Sequence, residues 1–192
     1  RLGLFCGTKF VNAPFTTTAG GTTSADFTGD PTDPSGSEAE VFYAYYPYSA
    51  HAVLEGSVVS GLSIPAVQTF ATKSFATELC PMATSGVDYS RLAFRTIGTV
   101  LKFQVTGQKN VTKIELTGNN GEALAGDYTI DFVGETPEMK FSGTETTLTL
   151  TCSEPVALND ASATEFYFVL PAGVEFTKGI TVKVYTDDNA EP

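Results

Sequence analysis

Glu40-Val-Phe-Tyr-Ala-Tyr-Tyr-Pro-Tyr-Ser49 places five aromatic residues within ten and meets a proline before it ends. In an extended chain, successive side chains point to opposite faces, so Phe42, Tyr43, Tyr45 and Tyr46 load both sides of the segment. A strand carrying bulky groups on both faces is covered on both faces. Pro47 has no N–H to give to a ladder, so the strand ends there or runs along an edge. The segment is expected to be a core strand of a β-sandwich.

The rest of the chain agrees with that reading. Helical periodicity is nearly absent, and strand-length runs lie between turn signals. Leu2, Leu4 and Cys6 alternate at the start. Leu101, Phe103 and Val105 oppose Lys102 and Gln104. Ile114 and Leu116 alternate with Lys113 and Glu115, and Tyr128, Ile130 and Phe132 with Thr129 and Asp131. Met139 and Phe141 suggest a short strand. Leu148 and Leu150 alternate with Thr147, Thr149 and Thr151, and Ile180, Val182 and Val184 with Thr181, Lys183 and Tyr185. Glu165-Phe-Tyr-Phe-Val-Leu170 is apolar on both faces and is expected to be a central strand. Gly118-Asn-Asn-Gly121 reads as a hairpin turn, because its residues tolerate positive φ. Residues 61–65 and 67–70 look extended, and Phe75 to Met82 reads as a short helix or an irregular crossing. The predicted fold is mainly β: an antiparallel sandwich of the Greek-key type with about seven or more strands.

Residues 14–38 are a long polar stretch containing Gly29-Asp-Pro-Thr-Asp-Pro-Ser-Gly36. Such chemistry makes a loop, which either wraps the sandwich or is a mobile surface segment. No composition shift divides the chain. One sandwich domain is expected over residues 1–186, with 187–192 a linker or chain end.

The 192 residues carry a formal net charge of −11. That balance argues against nucleic acid and anionic membranes as partners. No apolar run approaches the ~18–20 residues needed to span a bilayer, so no direct membrane insertion is expected of this segment. The chain begins at Arg1 and not Met, which suggests either removal of a leader or trimming of the chain. Cys6, Cys80 and Cys152 are odd in number and fit no metal-ribbon or redox spacing. They are expected to be free core thiols, with Cys152 continuing the buried row of Leu148 and Leu150.

Candidate chemistry is sparse. His51 is the single histidine, so any triad or zinc site must use it, and it lies at a strand exit. Asp30, Asp33, Glu38 and Glu40 form an oxygen-rich loop whose spacing is not that of a calcium hand, and whose prolines restrict wrapping. Asp127 and Asp131 share one strand face at roughly 13 Å by strand rise. That is too far for paired glycosidase carboxylates to cooperate directly. Tyr43, Tyr45, Tyr46 and Tyr48 are either core residues or a stacking platform for glycans. Asn110-Val-Thr112 has the N-glycosylation acceptor pattern. No residue is assigned a catalytic, cofactor-binding or metal role, and the chain is expected not to be an enzyme.

Several segments, in order, resemble the Bacteroidales fimbrillin-like family of type V pilus subunits and related surface adhesins. They are Val41-Phe-Tyr-Ala-Tyr-Tyr-Pro-Tyr-Ser49, Ile64-Pro-Ala-Val-Gln68, Leu92-Ala-Phe-Arg-Thr-Ile-Gly-Thr-Val-Leu-Lys-Phe103, Val111-Thr-Lys-Ile-Glu-Leu-Thr117, Phe166-Tyr-Phe-Val-Leu-Pro171 and Lys178-Gly-Ile-Thr-Val182. The resemblance implies a transthyretin-like sandwich, here the N-terminal domain or a single-domain member, displayed on the outer surface. Its implied mechanism is assembly: a protease removes an N-terminal segment, and an extended strand from a neighbouring subunit fills the vacated groove. The first strand, with Leu2, Leu4 and Cys6, is expected to lie next to that exchange. Implied partners are other pilus subunits or host and bacterial surface ligands. The alternative is a glycan- or protein-binding module of an outer-membrane surface lipoprotein.

Overall fold

The computed structural model describes residues 1–20 and 24–188. Sixteen strands and no helix occur among the described residues. In chain order they are β1 (Leu2–Cys6), β2 (Phe10–Phe15), β3 (Phe42–Tyr46), β4 (Val53–Glu55), β5 (Val58–Ile64), β6 (Val67–Ala71), β7 (Ser74–Phe75) and β8 (Met82–Gly86). There follow β9 (Arg95–Thr96), β10 (Thr99–Val105), β11 (Asn110–Gly118), β12 (Gly126–Asp131), β13 (Glu138–Phe141), β14 (Thr147–Ala157), β15 (Thr164–Leu170) and β16 (Ile180–Thr186). Four sheets result, with orders β2-β1-β3-β8-β9, β13-β12-β5-β4, β16-β11-β14-β6-β7 and β10-β15. The fold is mainly β. Pairing is antiparallel through β2-β1-β3-β8-β9, β10-β15 and β16-β11-β14, whereas β14 and β6 run parallel.

The chain gathers into two compact units, each discontinuous in sequence. One comprises Arg1–Leu62, Cys80–Ile97 and Tyr128–Lys140, and the other Ser63–Leu79, Gly98–Asp127 and Phe141–Pro192. In the first unit, β3 lies between β1 and β8 and is covered on both faces, as its aromatic content requires. Phe42 and Ala44 join Leu2, Leu4, Cys6, Phe10 and Ala13 in one apolar cluster. On the opposite face, Tyr45 is fully buried and stacks on Phe5 at 6.2 Å, while Tyr43 meets Phe132 at 5.0 Å. Gly3, opposite Tyr45, leaves room for that ring: a Cβ there would lie 2.2 Å from it. The strand stops at Tyr46, before Pro47.

In the second unit, Ile114 and Leu116 of β11 pair across to Leu150 and Leu148 of β14, and all four are buried. Phe166 and Phe168 of β15 are also buried, and Phe70 of β6 packs on Phe166 at 5.2 Å. The β11–β14 register passes from Lys113↔Thr151 to Val111↔Val156, so Cys152-Ser-Glu-Pro155 bulges opposite Thr112. A bulge suits Pro155, which has no ladder donor to lose.

Several expectations need correction. Gly118–Gly121 does not close a hairpin, because β11 and β12 belong to different sheets. Phe166, Phe168, Val169 and Leu170 are buried as expected, but Glu165 and Tyr167 are half-buried, and β15 pairs with β10 alone and is not central. Of the two readings of Phe75 to Met82, the structure has the irregular crossing and not the short helix. Cys152 is only half-buried, since it enters the bulge just where the alternation of Leu148 and Leu150 breaks. All three cysteines are free thiols.

Candidate functional site

An antiparallel protein offers its strand edges for recognition, because an edge presents unpaired N–H and C=O groups to any extended chain. The two units treat their edges differently. In the first, β2 is an outer strand, and the polar segment after it folds back along its free side. Lys9 N–H donates to Ser37 O at 3.1 Å, and Asp33 N–H donates to Lys9 O at 3.2 Å. The Thr32 hydroxyl serves Val11 twice, accepting from its N–H at 3.1 Å and donating to its carbonyl at 3.2 Å. Thr16 and Thr28 exchange both backbone bonds at 2.8 Å. Between these contacts stands Pro14, which has no N–H to expose. Residues 28–38 thus wrap the sheet edge as a strap.

The strap is held by side chains as well. Lys9 Nζ lies 2.6 Å from Glu38 Oε1, and the Tyr89 hydroxyl donates to the same oxygen at 3.0 Å. The Lys9 bond, followed by the Tyr89 bond, lowers the Glu38 carboxyl below its ordinary pKa. Gly36 sits so close to β2 that a Cβ would come within 2.7 Å of Lys9 N.

In the second unit the edges are long and open. Gln68, buried at 2% exposure, donates from Nε2 to Val169 O at 2.7 Å and accepts from Val169 N–H at 2.9 Å. Both main-chain groups of Val169 therefore point away from β10. Because Val100 is its antiparallel partner, Val100, Lys102 and Gln104 aim their own N–H and C=O groups at the free side of β10. No strand pairs with that side among the described residues. The side chains of Leu101, Phe103 and Val105 are only half-buried, and Val100 is 38% exposed. β16 is similar: Ile180, Val182 and Val184 lie on the face of Ile114 and Leu116 yet are half-buried, and no strand covers the outer edge among the described residues.

The first strand, β1, is paired on both sides, by β2 and β3, and so offers no open edge of its own.

A groove of about 680 Å³ lies between β2 and the strap, lined by Asn12, Thr28, Asp30, Thr32 and Tyr48 among others. Its floor is anchored by a polar node. The Tyr45 hydroxyl lies 2.6 Å from Asn12 Oδ1 and 3.0 Å from Ser49 O, and accepts from Ser49 N–H at 3.2 Å. Asn12 Nδ2 donates to Ser49 O at 2.9 Å. Asn12 holds φ 53°, which an asparagine tolerates at a bulge. Burial pushes the Tyr45 phenol far above its ordinary pKa.

The remaining candidates are scattered. His51 is exposed, with its main-chain N–H on Ser49 Oγ at 3.2 Å. Asp33 accepts from Ser35 in a turn, Glu38 holds Lys9, Asp30 lines the groove and Glu40 is exposed. No group of three or more potential metal ligands forms among the described residues. Asp127 is exposed, and Asp131 Oδ1 accepts from Val133 N–H. Asn110 of the glycosylation pattern donates to Asp187 at 2.7 Å, and Lys109 pairs with Asp188, so residues 187 and 188 are tied to the sheet. Residues 189–192 of the expected linker lie outside the described residues. Of the four tyrosines, Tyr45 is a core residue, Tyr43 is half-buried against Phe132, Tyr46 packs against the apolar cluster, and Tyr48 alone lines a groove. Sequence reasoning missed Gln68 and Thr32. Their signal was weak: single polar residues in ordinary strand and loop contexts. The chain matches no protein-family model, no curated protein and no solved structure.

Proposed function

We propose that this chain is a cell-surface structural or adhesion protein, a fimbrillin-like pilus subunit or adhesin that assembles by β-strand addition. In this reading its sandwich is of the transthyretin-like, Greek-key type, it is displayed at the outer membrane, and it does no catalysis. The observation that carries the reading is the β10 edge. Three backbone positions there face outward with no partner strand among the described residues, beside the half-buried Leu101, Phe103 and Val105. An added strand would complete the ladder and bury the apolar row. The resemblance of the sequence to pilus subunits supports the same reading.

The test is assembly after limited digestion with an arginine-directed protease, followed by light scattering and hydrogen exchange. The expected result is polymer in which the amides of Val100, Lys102 and Gln104 become protected. Trimmed protein that stays monomeric, or polymer with β10 unprotected, defeats the reading.

A further inference from the structure

We infer that the groove between β2 and the strap binds a neutral saccharide. The inference does not rest on the assembly reading, because it uses only residues of the first unit. The groove's volume of about 680 Å³ lies within the range of small-ligand sites, roughly 300–1,000 Å³. Its walls are already fixed. The Thr16–Thr28 bridge holds one end of the strap and the Thr32–Val11 bonds hold the next turn. Gly29 packs so closely on Phe15 that a Cβ would meet the ring at 2.7 Å. A ligand entering here has little ordering cost to meet.

The chemistry of the lining selects the ligand. Asn12 is spent on Tyr45 and Ser49, and the Thr32 hydroxyl is spent on Val11. Three groups have no hydrogen-bond partner among the described residues: the Asp30 carboxylate, the Thr28 hydroxyl and the Tyr48 phenol. A carboxylate accepts from adjacent hydroxyls, a threonine hydroxyl both donates and accepts, and a tyrosine ring offers an apolar face with a polar tip. Together they match a pyranose, which has one C–H face and a rim of hydroxyls. The Arg1 guanidinium sits over one face of the Tyr48 ring, 5.5 Å from its centroid. No lysine or arginine is among the lining residues themselves, and the Asp30 carboxylate with the chain's net charge of −11 disfavours an anionic ligand. With only Val11, Pro14 and Pro31 as apolar lining beside Tyr48, the groove lacks the deep apolar floor that a lipid needs.

The full chain is tested on an array of neutral, sialylated and sulfated oligosaccharides. Calorimetry follows with maltohexaose, mannohexaose, an N-acetyllactosamine oligomer and its sialylated form. Binding to at least one neutral oligosaccharide is expected. Tyr48→Ala is expected to weaken it about tenfold, as loss of an aromatic contact does, while Tyr48→Phe keeps most of it. Asp30→Asn, at an exposed position that the fold does not use, weakens it without changing the melting temperature. The inference is overturned if no neutral saccharide binds. It is also overturned if sialylated forms bind as well as neutral ones, or if Tyr48→Ala and Asp30→Asn both bind like the parent.

Discussion

Gln68 holds Val169 by both ends of its side-chain amide, on the side of β15 where no strand pairs among the described residues. A strand buried on its faces but paired on one side leaves backbone groups to satisfy, and one glutamine satisfies two of them. Gln68→Leu strips both Val169 groups of their partners. At about 1–3 kcal/mol for each buried group left unmade, the loss is roughly 2–6 kcal/mol, read by urea unfolding. Gln68→Glu adds a pH signature. A carboxyl there must keep its proton to donate to Val169 O, so its pKa is higher in the native state than in the unfolded chain. The native state then binds more protons, and stability falls as pH rises through the window above the unfolded carboxyl value. The check is unfolding of this variant at pH 4 and at pH 7, with the parent showing no matching difference.

Tyr45 and Tyr128 are buried phenols with pKa values raised chiefly by desolvation. The native state keeps both protons where the unfolded chain releases them. Stability is therefore intact below the ordinary tyrosine value, near 10, and declines as pH rises above it. Absorbance of phenolate during alkaline titration is expected to show these two tyrosines ionising only together with loss of β-sheet circular dichroism. Separate early ionisation of either would contradict their burial. Tyr45→Phe leaves Asn12 Oδ1 and Ser49 N–H without the hydroxyl and costs about 1–3 kcal/mol.

The fold class was legible because alternation is a local signal. Leu101, Phe103 and Val105, or Ile114 and Leu116, declare a strand whatever lies across from them. Pairing was not legible in the same way. The apolar run from Phe166 to Leu170 signals burial, and a side-chain amide from residue 68 meets its backbone as well as a neighbouring strand would. The Asn119-Asn120-Gly121 turn has hairpin chemistry, yet the chain after it joins another sheet. The strap shows the same limit. Its prolines and glycines predict a loop, but nothing local says that Thr32 will serve Val11. The groove was half legible: Tyr48 stood out as a candidate, and Asp30 was noticed for a different chemistry.

The strap closes the β2 edge through contacts that tolerate no side chain at Gly36. Gly36→Ala is expected to lift it, because the new Cβ meets the backbone of Thr8 and Lys9 and not a movable side chain. Exchange of the Lys9, Val11 and Thr16 amides should then rise about tenfold, equivalent to roughly 1.4 kcal/mol of local opening. Val11 is already 51% exposed, so global stability should change far less. An uncovered edge also invites pairing between copies. Sedimentation of the variant over a concentration series should show association absent in the parent. Unchanged exchange at these three amides would mean that the strap does not guard the edge.

Lys102→Pro separates the two sides of β10. Lys102 lies opposite Tyr167 with its backbone directed to the free edge, so a proline there removes an outward donor and no β10–β15 bond. The side chain lost is half of an exposed ion pair with Glu165, worth little to stability. Monomer unfolding is expected to shift by less than about 1 kcal/mol, whereas protease-triggered assembly should stop, because the added strand loses a central hydrogen bond and meets the proline ring. The matching change on the paired side, Leu101→Pro, removes a donor directed at β15 and should destabilise the monomer itself. If Lys102→Pro assembles like the parent, β10 is not the accepting edge, and the bare outer side of β16 becomes the place to put the same substitution.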